Sequence, residues 1–132
     1  MSQVLLIEPD KILADVYEQA LIHDGHDVVI ASEAQEAINA ADQLKPDLVI
    51  MEIQLMGHNG IEFLYEFRSY PEWSDIPVIV NSLIASEEFR SNKTLYKNLN
   101  VKTFLYKPRT SLRQLLEEVS RISIKTPSSK SV

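Results

Sequence analysis

Short apolar runs alternate along the chain with segments of helical periodicity. These runs are residues 4–7 (VLLI), 28–30 (VVI), 48–51 (LVIM), 77–82 (PVIVNS) and 103–106 (TFLY). Those at 4–7 and 48–51 show no polar alternation, the pattern of strands covered on both faces of a parallel sheet. Between the first two, Ile12, Leu13, Val16, Tyr17, Ala20 and Leu21 recur at three and four, which predicts a helix with Asp10 as its N-cap and Gly25 as its stop. Ser32-Glu33-Ala34-Gln35 has capping-box spacing ahead of Ala37, Ile38, Ala41 and Leu44, and this second helix ends before Pro46. Ile61, Phe63, Leu64 and Phe67 mark a third helix closed by Tyr70-Pro71, with Trp73 packing near that corner. A fourth, over residues 86–99, has only the thin stripe Phe89, Leu95, Tyr96 and Leu99. Ser111 caps a fifth carrying Leu112, Leu115, Leu116, Val119 and Ile122. Alternating strands and helices without hairpin signals predict an α/β fold, a five-stranded parallel sheet doubly wound as (βα)5.

The 132 residues make one domain, residues 1–124, with 125–132 as a flexible tail or the start of a linker. A net charge of -6 argues against nucleic acid as a partner of this domain. The chain has no cysteine, which removes disulfides, thiolate metal sites and thiol nucleophiles. No run reaches membrane-spanning length, and the apolar stretch at 4–7 is too short for an export signal, so a cytoplasmic protein is expected.

Candidate chemistry collects where the strands end. The third strand runs into Glu52 and the Gly-containing loop Met56-Gly57-His58-Asn59-Gly60, and the carboxyl edge of an open α/β sheet is where ligands bind. The other strand ends bring Glu8, with Asp10 nearby, Ser82 and Lys107 to the same edge. An ammonium facing two carboxylates offsets their repulsion and keeps both ionised, and a hydroxyl beside them can bond an anionic oxygen.

In this order and spacing the residues resemble the receiver domain of two-component response regulators, from Val4 to about Ile122. The resemblance implies the flavodoxin-like, CheY-like form of the fold and a module, not an enzyme, to which a histidine kinase transfers a phosphoryl group. Glu52 stands at the acceptor aspartate, Ser82 at the switch hydroxyl, Lys107 at the invariant amine and Phe104 at the aromatic switch. Glu8 and Asp10 belong to the acid pocket, and Glu8, Glu52 and the Gln54 backbone are the metal ligands if Mg²⁺ binds. The departures matter equally. Glu52 is one methylene longer than aspartate, displacing its carboxylate by roughly 1.5 Å, and Pro9 stands where the family has a second acid. No cofactor is expected beyond weakly held Mg²⁺. The reading is an atypical, phosphorylation-independent receiver whose partner is a protein, a histidine kinase or a downstream effector, contacted through helix four, strand five and helix five; a homodimer stays open.

The alternative is a Mg²⁺-dependent receiver still phosphorylated in the acid pocket. A flavodoxin or nucleotide-binding protein is disfavoured because Glu8-Pro9-Asp10, not a Gly-rich phosphate loop, follows the first strand. Simpler readings also stand: Glu52 as a strand-end ion pair with Lys107, Phe104 as core, and His58 as a solvated loop residue.

Overall fold

A computed structural model describes residues 2–55, 58–84 and 99–125. β1 (Gln3–Ile7), α1 (Lys11–His23), β2 (Asp27–Ala31), α2 (Ala34–Gln43) and β3 (Leu48–Met51) alternate as expected. β4 (Gln54–Leu55) and β5 (His58–Asn59) follow, then α3 (Gly60–Ser69), β6 (Val78–Ser82), β7 (Val101–Tyr106) and α4 (Leu112–Lys125). The predicted helix over 86–99 falls almost wholly outside the described residues, as does the tail from 126 onward.

β2-β1-β3-β6-β7 form one sheet in that order, and every neighbouring pair is parallel. β1 lies inside, with Leu6 opposite Ile30 on one side and Ile50 on the other. Its Val4 to Ile7, and all of Leu48–Met51 in β3, are buried, which is why neither run alternates with polar residues. Successive side chains in a strand take opposite faces, so the sheet builds two cores. Ile7, Val49, Met51, Phe63, Phe67 and Trp73 belong to the one beside α2 and α3; Leu6, Ile50, Ile79, Tyr17, Leu21, Leu115 and Val119 belong to the other, beside α1 and α4.

α1 starts on Asp10, whose Oδ1 accepts from the Leu13 N–H at 3.1 Å. It ends where Gly25 takes a φ of 93° and donates to the Ile22 carbonyl, a left-handed position that glycine fills without a steric penalty. Ser111 and Gln114 form a complete capping box at α4: the Gln114 N–H donates to Ser111 Oγ at 3.1 Å and the Ser111 N–H to Gln114 Oε1 at 2.7 Å.

Two local expectations need correction. The cap of α2 does not use Gln35; Glu36, one residue further, accepts from both the N–H and the hydroxyl of Ser32, because Glu33 and not Ser32 is the residue flanking the helix. The sheet is not the only β structure: Gln54 and Leu55 pair antiparallel with Asn59 and His58, in strands of two residues that are too short to show alternation.

The turn after α1 gives a pH prediction. His26 is buried, and its Nδ1 accepts from the Ser2 N–H at 3.2 Å. Burial lowers its pKa below the ordinary 6.5, against the opposing charges of Asp24 and Asp27. Unfolding therefore takes up a proton in this range: the stability contributed by neutral His26 is present above pH 6.5 and is lost as pH falls through the lowered folded value. Urea midpoints measured from pH 8 to pH 5 are expected to fall on acidification, and less so in His26→Gln.

Candidate functional site

The parallel register carries four strand ends to one edge. The sheet ladder continues past β1 and β3, with the Glu8 N–H donating to the Ala31 carbonyl and the Glu52 N–H to the Ile7 carbonyl, both at 3.0 Å. Ser82 ends β6 opposite Tyr106 of β7. Lys107 follows, its backbone held in a 3-10 turn over Lys107–Arg109 that Pro108 helps to set.

The four side chains converge. Lys107 Nζ lies 2.8 Å from Glu8 Oε1 and 2.7 Å from Glu52 Oε1, and the three side chains are only 8 %, 3 % and 2 % exposed. Glu52 Oε1 also accepts from the Leu83 N–H at 3.1 Å. Its Oε2 accepts from the Ser82 hydroxyl and, at 3.0 Å, from the Gln54 N–H. Ser82 Oγ in turn accepts from the Ile84 N–H at 3.0 Å, and Glu8 Oε2 from the Asp10 N–H at 3.0 Å. Every oxygen of the two buried acids thus has a donor, the condition under which burying charge is tolerable.

The electrostatics follow. Burial favours the neutral form of Glu52, but hydrogen bonds from Lys107, Ser82 and the Gln54 N–H, with the charge of Lys107, outweigh it and hold the carboxyl below its ordinary value of 4.5. Burial likewise opposes the charge on Lys107, and the bonds to Glu52 and Glu8 overcome it, raising the amine above 10.5. An ionised acid and a protonated amine sustain each other.

Asp10 stands apart from this cluster. Its carboxylate is exposed and committed to capping α1, and only its N–H reaches the site, through Glu8. Gln54 enters through its N–H. Phe104 is half-buried and packs against the core on the α2 and α3 side. Sequence reasoning missed the backbone donors of Asp10, Leu83 and Ile84, which carry no side-chain signature. It also missed the hydrogen bond from Asn81 Nδ2 to Tyr17 Oη at 3.2 Å, for which a polar residue inside an apolar strand was the available signal.

Residues 4–120 match the sequence profile of the response regulator receiver domain. The chain belongs to the receiver family. A curated relative is the KDP operon transcriptional regulatory protein KdpE of Escherichia coli (strain K12), 33% identical over 108 residues; the match covers 82% of this chain but 45% of that protein, so the receiver spans less than half of its relative. Solved structures agree in fold. A CheY-like receiver domain protein from Methanospirillum hungatei superposes with a TM-score of 0.83 at 23% identity, covering 96% of each chain. Chemotaxis protein CheY4 of Vibrio cholerae gives 0.81 at 22%, covering 92% of this chain and 98% of its own. The receiver is a two-component signalling domain, of the kind that interacts with kinases and effectors. Among its described residues no helix is long and apolar enough to cross a membrane.

The donor set of this receiver is a poor match for Mg²⁺. The ion wants several oxygens in near-octahedral array. Here an ammonium sits between the two acids, all four of their oxygens already accept hydrogen bonds, and Pro9 offers no side-chain oxygen. Among the described residues no group of three or more His, Asp or Glu side chains could hold a metal ion.

Proposed function

We propose that this receiver keeps one signalling state without a phosphate cycle, with the Glu52 carboxylate standing in for a phosphoryl group. The observation that carries the reading is that a single carboxylate engages Ser82, Lys107 and the Leu83 N–H together. In the family these are the switch hydroxyl, the invariant amine and the start of the loop behind them, the groups a phosphoryl group would gather. The extra methylene gives Glu52 the reach, and it also displaces the oxygen that would attack a phosphodonor, a step that tolerates little misplacement.

The output is protein binding. The partner is a histidine kinase or a downstream effector, or a second copy of the chain, meeting the surface of β7 and α4; the segment over 86–99 expected to complete that surface lies almost wholly outside the described residues. Phe104, half-buried against the core on the α2 and α3 side, is the aromatic switch.

Incubation with a small phosphodonor and Mg²⁺, read by intact mass, tests the reading. The expected mass is unchanged. A stable gain of one phosphate that disappears in Glu52→Gln would overturn it and establish a Mg²⁺-dependent phosphoacceptor instead.

A further inference from the structure

Asn81 is 3% exposed in a strand whose neighbours Val78, Ile79 and Val80 are wholly buried. Its Nδ2 donates to Tyr17 Oη at 3.2 Å, and its Oδ1 is buried with no hydrogen-bond partner among the described residues. A leucine or valine would fill the same position without an orphaned oxygen, and a buried acceptor left unpaired is destabilising. A local rule broken inside an otherwise apolar strand, one residue from a functional group, calls for a compensating role.

That role follows from the pleat. Consecutive residues of β6 take opposite faces of the sheet, so Ser82 reaches Glu52 while Asn81 reaches the middle of α1. The two contacts share one peptide unit. Tilting that unit to tighten one contact moves the other. The amide can also meet Tyr17 in two ways, with Nδ2 donating to Oη or with the Tyr17 hydroxyl donating to Oδ1. The structure holds the first, with Nδ2 donating to Oη and Oδ1 left without a partner among the described residues.

We infer that Asn81 is a positioning residue for the Ser82 hydroxyl, and that the Asn81–Tyr17 pair couples the Glu52 site to α1. The inference takes from the proposed function only the Ser82–Glu52 contact; it does not depend on whether phosphate can be transferred.

The test uses the intact protein and two conservative variants, Asn81→Leu and Tyr17→Phe. The readouts are hydrogen exchange of the Leu83 N–H, which donates to Glu52, and the Glu52 carboxyl carbon shift by NMR. Asn81→Leu removes the orphaned oxygen but also takes the partner from Tyr17 Oη, so its thermal midpoint is expected to stay near that of wild type while Leu83 exchange speeds up about tenfold or more relative to the β6 amides. Tyr17→Phe, which leaves the strand untouched, is expected to change the same two signals in the same direction. Unchanged site signals in both variants would reduce Asn81 to a tolerated polar residue and overturn the inference. A change in Asn81→Leu alone would overturn the coupling to α1. Because neither readout involves phosphorylation, phosphate uptake on Glu52 would sink the functional reading and leave this one standing.

Discussion

Replacing Lys107 with methionine is expected to destabilise the domain by about 4 kcal/mol at neutral pH, the range found when one partner of a buried ion pair is removed. Methionine keeps most of the volume, so the loss reports charge. Without the ammonium, Glu8 and Glu52 face each other at the sheet edge with only neutral donors, and burial then drives Glu52 toward its neutral form. The pH dependence identifies the cause. Glu52 has a folded pKa below 4.5, so its contribution is present above that value and is lost as pH falls through the folded value. Lys107 has a folded pKa above 10.5, so its contribution is present below that value and is lost as pH rises through the raised one. Urea unfolding should therefore show a gap between wild type and Lys107→Met that is widest near neutral pH and narrows on acidification, first as Glu52 of the variant takes up its proton and then, below pH 4.5, as wild type loses the Glu52 contribution. A gap that persists unchanged at pH 3 would assign the loss to packing.

Arg68→Ala should cost about 3 kcal/mol, although Arg68 lies outside the acid site. Its guanidinium donates to four backbone carbonyls: Nε to Leu99 at 2.9 Å, Nη1 to Trp73 at 2.8 Å and Ser74 at 3.2 Å, and Nη2 to Asn100 at 3.2 Å. It thereby ties the end of α3 to the turn before β7, where Asn100 adopts a φ of 53°. Asparagine accepts this left-handed conformation more readily than most residues. Hydrogen bonds from a charged donor contribute about 1.5–3 kcal/mol each but are not additive, which places the total near the estimate. Arg68→Lys should recover less than half, because one ammonium cannot reproduce the planar fork. Urea midpoints of the three proteins decide it; full recovery by lysine would show that charge alone suffices.

Arg68 also shows where sequence reasoning stops. The helix that carries it was legible from Ile61, Phe63, Leu64 and Phe67, but two of its four partners are carbonyls 31 and 32 residues away, and carbonyls are the same in every residue. The strands were legible because parallel strands buried on both faces leave long apolar runs: the 48–51 run coincides with β3. β7 starts at Val101, two residues before the run at 103–106 suggests, since the exposed Lys102 sits beside the register shift against β6 and interrupts the pattern. At the site, Glu8, Glu52, Ser82 and Lys107 could be placed at one edge from strand ends alone, because the fold fixes that edge. Asp10 was legible both as cap and as pocket acid, and the structure commits its side chain to the cap. Spacing along a chain does not say which way a loop carboxylate turns.

The order of strands across the sheet has one more consequence, for a chain emerging from the ribosome. Glu8 and Glu52 come from the first half of the polypeptide, while their cation waits at residue 107, beyond the strand that closes the sheet's far margin. Long-range pairings of this kind form late. The bonds from Lys107 to Glu8 and Glu52 span 99 and 55 residues, so the two acids gain their shared cation only once β7 has docked beside β6.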